Sequence, residues 1–101
     1  MDDFNIDSLD DVIHGRLRLG VMAFLSTAGS GEFTVLKVRL QASDGNLSVQ
    51  LRKLEEAGYV VIDKAFVGKK PQTTITLTPA GRAAYIGYLD AMKKLIGDAG
   101  L

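Results

Sequence analysis

The apolar residues of this chain recur at two different spacings, and these spacings predict the order of its helices and strands. Leu47, Leu51 and Leu54 lie at helical spacing, which predicts an amphipathic helix with its leucines facing inward. Ser43 is placed to cap the start of that helix, and Gly58 follows it as a natural stop. The sequence therefore predicts a helix from about residue 43 to residue 57.

A shorter helix is predicted just before it, over residues 35–41. Thr34 is placed as its N-cap, and Phe33 and Val38 are spaced to form a hydrophobic staple across the helix start. Residues 41–43 then form a tight turn, so the two predicted helices make a helix-turn-helix.

Two strands are predicted after the helix pair. Residues 59–66 are rich in β-branched and aromatic side chains, and residues 73–77 alternate polar and apolar positions. They should form an antiparallel hairpin with residues 68–72 at its tip. This order of elements is that of a winged helix-turn-helix, in which the second helix can enter a DNA major groove while the hairpin, or wing, reaches the phosphate backbone.

Three further elements surround this motif. Ser8 and Asp11 have the spacing of a capping box and predict a short helical turn over residues 8–14. Residues 16–27 predict a helix buried on several sides, because their apolar positions cover far more than one stripe. A threonine cap and a first-turn proline open a last helix over residues 79–96. The predicted fold class is α+β, mostly helical, with a small antiparallel wing and a long C-terminal helix.

The last helix carries more apolar surface than a peripheral helix on a small monomer needs. Its polar residues fit within an arc of about 120° on a helical wheel, and apolar residues cover the rest. We therefore predict a homodimer in which the terminal helices, 8–14 and 79–96, contribute to the interface. The alternative is a helix buried entirely within its own domain. The predicted interface residues are Tyr85, Tyr88, Leu89, Met92, Leu95 and Ile96.

The face opposite the three leucines of the second motif helix is free to meet DNA. Asn and Gln can pair with adenine, Val49 can contact a thymine methyl, and Lys53 can bond guanine or a phosphate. Arg52 has an alternative, because Glu55 and Glu56 could pair with it. The alternative for the whole face is an ordinary solvated helix surface. The predicted DNA contacts on this helix are Ser43, Asn46, Ser48, Val49, Gln50, Arg52 and Lys53.

The hairpin tip supplies a second set of candidates. Lys69 and Lys70 lie between a glycine and a proline, a setting that fixes an exposed turn and projects both ammonium groups. We predict that they contact phosphates or a minor groove, with Gln72 and Thr74 as neutral hydrogen-bonding neighbours. Alternatively, these charges only discourage edge-to-edge aggregation. Further candidates for backbone contacts are Arg16, Arg18, Lys37 and Arg39.

Length and composition bound the class of protein. A chain of 101 residues with 47% apolar content suits one domain, residues 1–101. The formal net charge is zero, but residues 1–15 hold five acids and no Lys or Arg, so the remainder has 12 basic against 7 acidic residues. Such segregation is typical of a basic working face with an acidic end elsewhere. No apolar run approaches the roughly 20 residues of a membrane span and the start is acidic, so the predicted location is the cytoplasm.

The chain offers little chemistry beyond binding. It has no cysteine, which excludes disulfides and thiolate metal sites. His14 is the only imidazole, and a lone histidine is more often structural than catalytic. No Ser-His-Asp arrangement, glycine-rich phosphate loop or paired-carboxylate pattern occurs. We therefore expect no enzyme activity, no metal and no cofactor.

These segments together resemble small winged-helix transcriptional regulators of the MarR and ArsR-like superfamily, especially its compact single-domain members. The resemblance is most specific in Leu-Arg-Lys-Leu-Glu-Glu-Ala-Gly-Tyr-Val at 51–60 and Leu-Thr-Pro-Ala-Gly-Arg at 77–82. It implies a dimer on a roughly palindromic operator, with helix 43–57 in the major groove and the lysine-tipped wing beside it, in a bacterial or archaeal cytoplasm. Full-length multiple-antibiotic-resistance regulators have longer flanking helices that build a ligand pocket, and this chain is shorter at both ends, so the resemblance leaves a small-molecule effector unknown.

Two functions from different classes follow. The first is a homodimeric, sequence-specific transcriptional regulator, acting as a repressor because blocking a promoter requires no activation surface. The second is a winged-helix protein-interaction module that does not bind DNA, which the zero net charge leaves open. The strength and salt dependence of DNA binding distinguish them.

Overall fold

The computed structural model describes residues 5–98, and within them it contains four α-helices and one three-stranded sheet. A short 3-10 helix at Ile6–Ser8 comes first. The sheet order is β1-β3-β2, and both strand pairs are antiparallel. This is the winged helix-turn-helix fold, which confirms the predicted fold class. In chain order the elements are α1 (Arg16–Ala28), β1 (Ser30–Glu32), α2 (Phe33–Leu40), α3 (Asp44–Glu56), β2 (Val60–Val67), β3 (Lys70–Leu77) and α4 (Pro79–Asp98).

The hydrophobic core lies where α1, α2 and α3 meet the inner face of the sheet. Leu47, Leu51 and Leu54 are fully or almost fully buried, as the helical spacing predicted. Truncating any one of them to alanine would cost about 2–5 kcal/mol, because the lost contacts leave a cavity behind. The other buried residues of the helices and sheet are Leu17, Val21, Met22, Leu25, Leu36, Val60, Ile75, Leu77 and Tyr88.

The start of α2 differs from the prediction. The helix begins at Phe33, with Glu32 as the N-cap residue, so Thr34 does not cap it. Val38 is 72% exposed, so the predicted staple between Phe33 and Val38 does not form. Strand β1 runs directly into α2, and Phe33 packs against the core instead. At the other end, Gln41 takes a left-handed conformation (φ 53°) and begins the turn to α3.

The amino-terminal segment forms the 3-10 helix at Ile6–Ser8 and then one turn, closed by the bond from His14 N–H to the Asp10 carbonyl at 2.8 Å, so the predicted short turn forms but a helix over residues 8–14 does not. The capping role belongs to Asp10, whose Oδ1 accepts the backbone N–H groups of Val12 at 2.8 Å and Ile13 at 3.1 Å. Leu9 and Ile13 are buried in the core of their own chain. These two residues are therefore unavailable for the dimer interface that the sequence suggested for this segment.

The wing is longer than predicted. Strand β2 continues to Val67 and β3 begins at Lys70, so the tip contains only Gly68 and Lys69. Gly68 has a φ of 66°, which a type II′ hairpin turn requires at its first position. Pro71 lies inside β3, where it is tolerated because β1 pairs with β3 only further along, at residues 74–76.

Helix α4 begins as the sequence predicted. The Thr78 Oγ1 accepts the backbone N–H of Gly81 at 2.9 Å, which is the expected N-cap bond. The Arg82 guanidinium donates to the Ser26 carbonyl at 3.0 Å and ties α4 to α1. Among residues 5–98, no helix has the length and apolar character needed to cross a membrane.

Candidate nucleic-acid interface

Helix α3 presents a polar outer face because its capping and its leucines fix its rotation. Ser43 Oγ accepts the backbone N–H of Asn46 at 3.1 Å, which confirms the predicted N-cap. Opposite the buried leucines, Val49 is 49% exposed. Gln50 is half-buried at the edge of this face. The other predicted contacts, Ser43, Asn46, Ser48, Arg52 and Lys53, are all exposed.

One acid of this face is neutralised by its neighbour. Asp44, in the first turn of α3, forms an ion pair with Lys37 of α2 at 2.8 Å. The pair is solvent-exposed, so its contribution to stability is at most about 1 kcal/mol. Its main effect is local, because it offsets a negative charge that would repel phosphates. No ion pair joins Arg52 to Glu55 or Glu56, which leaves the Arg52 guanidinium without a carboxylate partner among residues 5–98.

Of the basic residues predicted outside α3, some are exposed and others contact residues of their own chain. Arg16 is exposed. Arg39 stacks over the Phe24 ring, with its Cζ 5.6 Å from the ring centroid. Arg18 donates from Nε to the Val12 carbonyl and from Nη1 to Gln50 Oε1.

Gln50 also forms a hydrogen bond with Asn46, a second outer-face residue of α3. Its Nε2 donates to Asn46 Oδ1 at 3.1 Å. A continuous chain of hydrogen bonds therefore runs from Val12 through Arg18 and Gln50 to Asn46. No local pattern of residues indicates this chain of hydrogen bonds, because its members come from three separate elements.

A groove of about 650 Å³ separates α3 from the wing. Its floor is apolar, formed by Phe33, Leu51 and Ile62. The α3 side contributes Asp44, Ser48, Arg52 and Glu55, and the sheet contributes Lys64 and Thr73. The outer face of α3 and the wing therefore border one shared opening, as the winged-helix prediction requires.

The wing lysines and their predicted neighbours lie in different settings. Lys69 is exposed at the tip, and Lys70 is exposed at the start of β3 beside it. Gln72 is half-buried, and its Nε2 donates to Glu32 Oε1 at 3.0 Å. Thr74 is half-buried and lies across from Glu32 and Asp63 on the two flanking strands. Because Gln72 and Thr74 adjoin carboxylates at the base of the wing, the lysines are the better candidates for phosphate contact.

Sequence reasoning missed two exposed apolar residues of the wing. Phe66 is 73% exposed and Val67 is also largely exposed, both at the end of β2 beside the tip. The sequence prediction ended the first strand at Phe66, whereas β2 continues to Val67 and pairs with Lys70. The two side chains therefore lie in the part of the hairpin that extends beyond the core. Exposed apolar side chains beside lysines suit contact with sugars and base edges in a minor groove.

Helix α4 divides into an inward side and a flank. Tyr88 is only 3% exposed, and its hydroxyl is 2.8 Å from His14 Nδ1 within the same chain. Burial, followed by the neighbouring Tyr85, raises the pKa of Tyr88. Tyr88 therefore belongs to the core, which corrects its predicted place at a dimer interface. Leu95 is half-buried and packs against the same core.

Four of the six predicted interface residues remain on one flank. Tyr85, Leu89, Met92 and Ile96 are spaced at i, i+4, i+7 and i+11, which aligns them along one stripe of α4. Leu89 is 46% exposed and Ile96 is similarly exposed, whereas Tyr85 and Met92 are half-buried. Ile86 is exposed at the edge of the same stripe.

The chain is similar in sequence to known winged-helix proteins. The sequence pattern described as the winged helix DNA-binding domain matches residues 17–96. The uncharacterized protein MJ0432 of Methanocaldococcus jannaschii is 35% identical over 78 residues, which are 77% of this chain and 85% of that protein.

Solved structures share its architecture. A transcriptional regulator homologue from Pyrococcus horikoshii OT3 has a TM-score of 0.83 at 28% identity, covering 89% of both chains. A MarR-family transcriptional regulator from Silicibacter pomeroyi has a TM-score of 0.67 at 24% identity, over 81% of this chain and 54% of that one. AbfR bound to DNA gives the same TM-score and identity, over 74% of this chain and 54% of AbfR. The last two likenesses concern the fold alone.

The fold, the exposed helix face and the wing together define a protein of the winged-helix, DNA-binding class. The chain belongs to the winged helix DNA-binding domain family.

Proposed function

We propose that the protein is a homodimeric, sequence-specific transcriptional repressor that binds a palindromic operator. The observation that supports this most strongly is the shared opening between the exposed face of α3 and the wing. A helix in a major groove and a wing in the adjacent minor groove straddle one phosphodiester strand. The groove has the position and the cations, Arg52 and Lys64, to accommodate that strand.

The charges of the interface favour DNA despite the zero net charge of the chain. Arg52 and Lys64 line the groove, and Lys53, Lys69 and Lys70 are exposed on α3 and the wing outside its lining. The acids of the groove lining are Asp44 and Glu55, of which Asp44 is already paired with Lys37, and Glu56 and Asp63 are exposed on α3 and β2 outside the lining. The local balance is positive, which supplies the sequence-independent part of DNA affinity.

The flank of α4 supports a two-fold dimer. The helix has 20 residues and a length of about 30 Å. Leu89 and Ile96 of its apolar stripe are exposed, whereas Tyr85 and Met92 of the same stripe also pack against the core. In a two-fold dimer the same stripe meets its own copy, and the two α3 helices can then enter successive major grooves about 34 Å apart.

Repression follows from occupancy of the operator. A dimer seated across a promoter blocks access of the transcription machinery without any further surface. This part of the proposal is tested by placing the selected operator between a promoter and a reporter gene and measuring reporter output with and without the protein.

Selection of bound fragments from a random DNA pool tests DNA binding and symmetry together. We expect enrichment of an inverted repeat whose half-site centres are about 10 base pairs apart. A Val49→Glu variant should lose enrichment, because it places a carboxylate at the centre of the outer face. The matched control is Val61→Glu, since Val61 is 46% exposed, much like Val49, but lies on β2 and outside the outer face of α3. Recovery of unenriched pool DNA, or equal loss in both variants, contradicts the proposal.

A further inference from the structure

The chain of hydrogen bonds that reaches Asn46 has a fixed direction. The Arg18 guanidinium donates to Gln50 Oε1, and Gln50 Nε2 donates to Asn46 Oδ1. A guanidinium has five N–H donors and no acceptor. Gln50 must therefore turn its oxygen toward Arg18, and its amino group is left to face Asn46. In turn, Asn46 directs its oxygen along the helix at Gln50.

This direction determines what Asn46 offers to a base. Because the Asn46 oxygen points along the helix at Gln50 and already accepts one bond there, the amide atom that points away from Gln50 toward a base edge is the nitrogen, which carries two N–H donors. A glutamine without a charged partner could point either amide atom at Asn46, and Asn46 could then present either its oxygen or its nitrogen. A donor-only partner removes that freedom.

We propose that Arg18 is a positioning residue that sets the base preference of α3 without touching DNA. The inference rests on the proposed function, because it assumes that Asn46 meets a base. The N–H donors of an amino group match two bases in the major groove. Guanine presents two acceptors there, and thymine presents one, O4. Adenine shows a paired donor and acceptor, so full recognition of adenine requires both amide atoms. The structure thus revises the adenine contact expected for Asn46 from sequence toward guanine or thymine.

Arg18 is held in place from a third side by the backbone of Gly15. A Cβ at position 15 would lie 2.5 Å from Nη2 and 2.7 Å from Cζ of Arg18. Gly15 has a φ of −144°, an extended conformation that alanine also adopts. Gly15→Ala therefore forces the guanidinium aside without backbone strain and without changing the charge of the chain. This offers a test that separates position from charge.

The test uses the full chain in two perturbing variants, each with a control. Gly15→Ala displaces the guanidinium, and Gly97→Ala is its control because nothing lies within 4 Å of a Cβ there. Arg18→Gln removes the donor-only group, and Lys93→Gln is its control because Lys93 is exposed on α4, is not a predicted DNA contact and carries the same charge. The half-site position read by Asn46 is identified as the one whose preference disappears in Asn46→Ala.

Two measurements follow. In the protein alone, nitrogen-edited NMR of side-chain amides should show shifts of the Gln50 and Asn46 signals in both perturbing variants and neither control. In selection from random DNA, the wild type should prefer guanine or thymine over adenine about tenfold at the identified position, the scale of one good contact. Both perturbing variants should reduce that ratio to about twofold or less, and both controls should keep it.

The outcomes separate this inference from the function beneath it. A wild-type preference for adenine, or an unchanged preference in both perturbing variants, overturns the inference while the DNA-binding function stands. Unchanged amide signals also overturn it. If Gly15→Ala fails to fold, Arg18→Gln decides. If the wild type enriches no sequence although the amide signals shift as expected, the proposed function fails and the base-readout role falls with it.

Discussion

The hydroxyl of Tyr59 donates a hydrogen bond to Asp10 Oδ2, joining two residues that lie 49 positions apart. The other oxygen of the same carboxylate holds the turn at Val12 and Ile13. Tyr59 lies three residues after the end of α3, so this bond connects the amino-terminal segment to the carboxyl-terminal end of the helix proposed to read DNA. The same segment supplies the Val12 carbonyl that Arg18 binds.

This bond makes stability depend on pH in the alkaline range. The hydrogen bond to Asp10, then burial, then the negative charge of Asp10 raise the pKa of Tyr59 to about 12. The folded state favours the protonated phenol, so the stabilisation is complete below pH 10 and is lost as pH rises toward 12. We expect Tyr59→Phe to lower the free energy of unfolding by about 1–2 kcal/mol at pH 8. The difference from wild type should shrink at pH 11.

Denaturant unfolding at the two pH values measures this difference. Tyr85→Phe controls for loss of a phenol, because no hydrogen bond of the Tyr85 hydroxyl occurs within residues 5–98. An equal gap between wild type and Tyr59→Phe at pH 8 and pH 11 would show that the bond to Asp10 contributes nothing.

Two glycines of α4 should respond oppositely to alanine. A Cβ at Gly81 would lie 2.2 Å from the backbone oxygen of Tyr59, which cannot move aside easily. We expect Gly81→Ala to destabilise the fold by about 1–3 kcal/mol. Gly87 has open space around it, so Gly87→Ala should stabilise the helix by about 0.5–1 kcal/mol. Thermal unfolding of both variants tests the packing of α4 at its start, and a shift of the same sign in both contradicts it.

If the apolar stripe of α4 forms the dimer interface, a single charged residue introduced into it should dissociate the dimer. Leu89→Glu places a carboxylate at the centre of the exposed apolar flank, where burial of an unpaired charge is costly. We expect a dimeric wild type and a folded, monomeric variant, measured by sedimentation equilibrium and circular dichroism. Ala83→Glu adds the same charge at an exposed position on the other flank and should remain dimeric. A monomeric wild type, or dissociation by both changes, would refute this interface.

The wing lysines should affect affinity and salt dependence together. Each phosphate contact contributes about 0.9 to the slope of log affinity against log salt. Replacing Lys69 and Lys70 by alanine should therefore lower affinity for every DNA sequence and reduce the slope by about 2. Lys93→Ala with Lys94→Ala removes the same charge from α4 and is the control, provided that sedimentation shows an unchanged oligomer. Equal effects of the two double variants would indicate that only overall charge matters.

Elements that depend on neighbours in sequence were predicted well. The N-cap at Ser43, the inward leucines of α3 and the threonine cap of α4 are local features, and the structure confirms each of them. The hairpin was predicted but its tip was placed too broadly, because pairing between Val67 and Lys70 is decided across strands. The staple at α2 failed for a similar reason, since β1 leads the chain into the helix from the sheet.

Candidate DNA contacts were predictable as a face and less so as individual residues. Periodicity identified which side of α3 points away from the core, because that side is fixed by the leucines. It could not show that Asp44 is paired with Lys37, that Gln72 bonds Glu32, or that Tyr88 turns inward to His14. Each of these depends on which elements approach one another.

The sequence by itself determined the type, order and polarity of the main elements, because helix caps, leucine spacing and turn residues act over a few positions of the chain. Only the tertiary structure decided how side chains from distant elements are oriented. Gly15, Arg18 and Gln50 illustrate the division. Their approach, and the direction it imposes on Asn46, arise from the packing of α1 against α3, which no local pattern encodes.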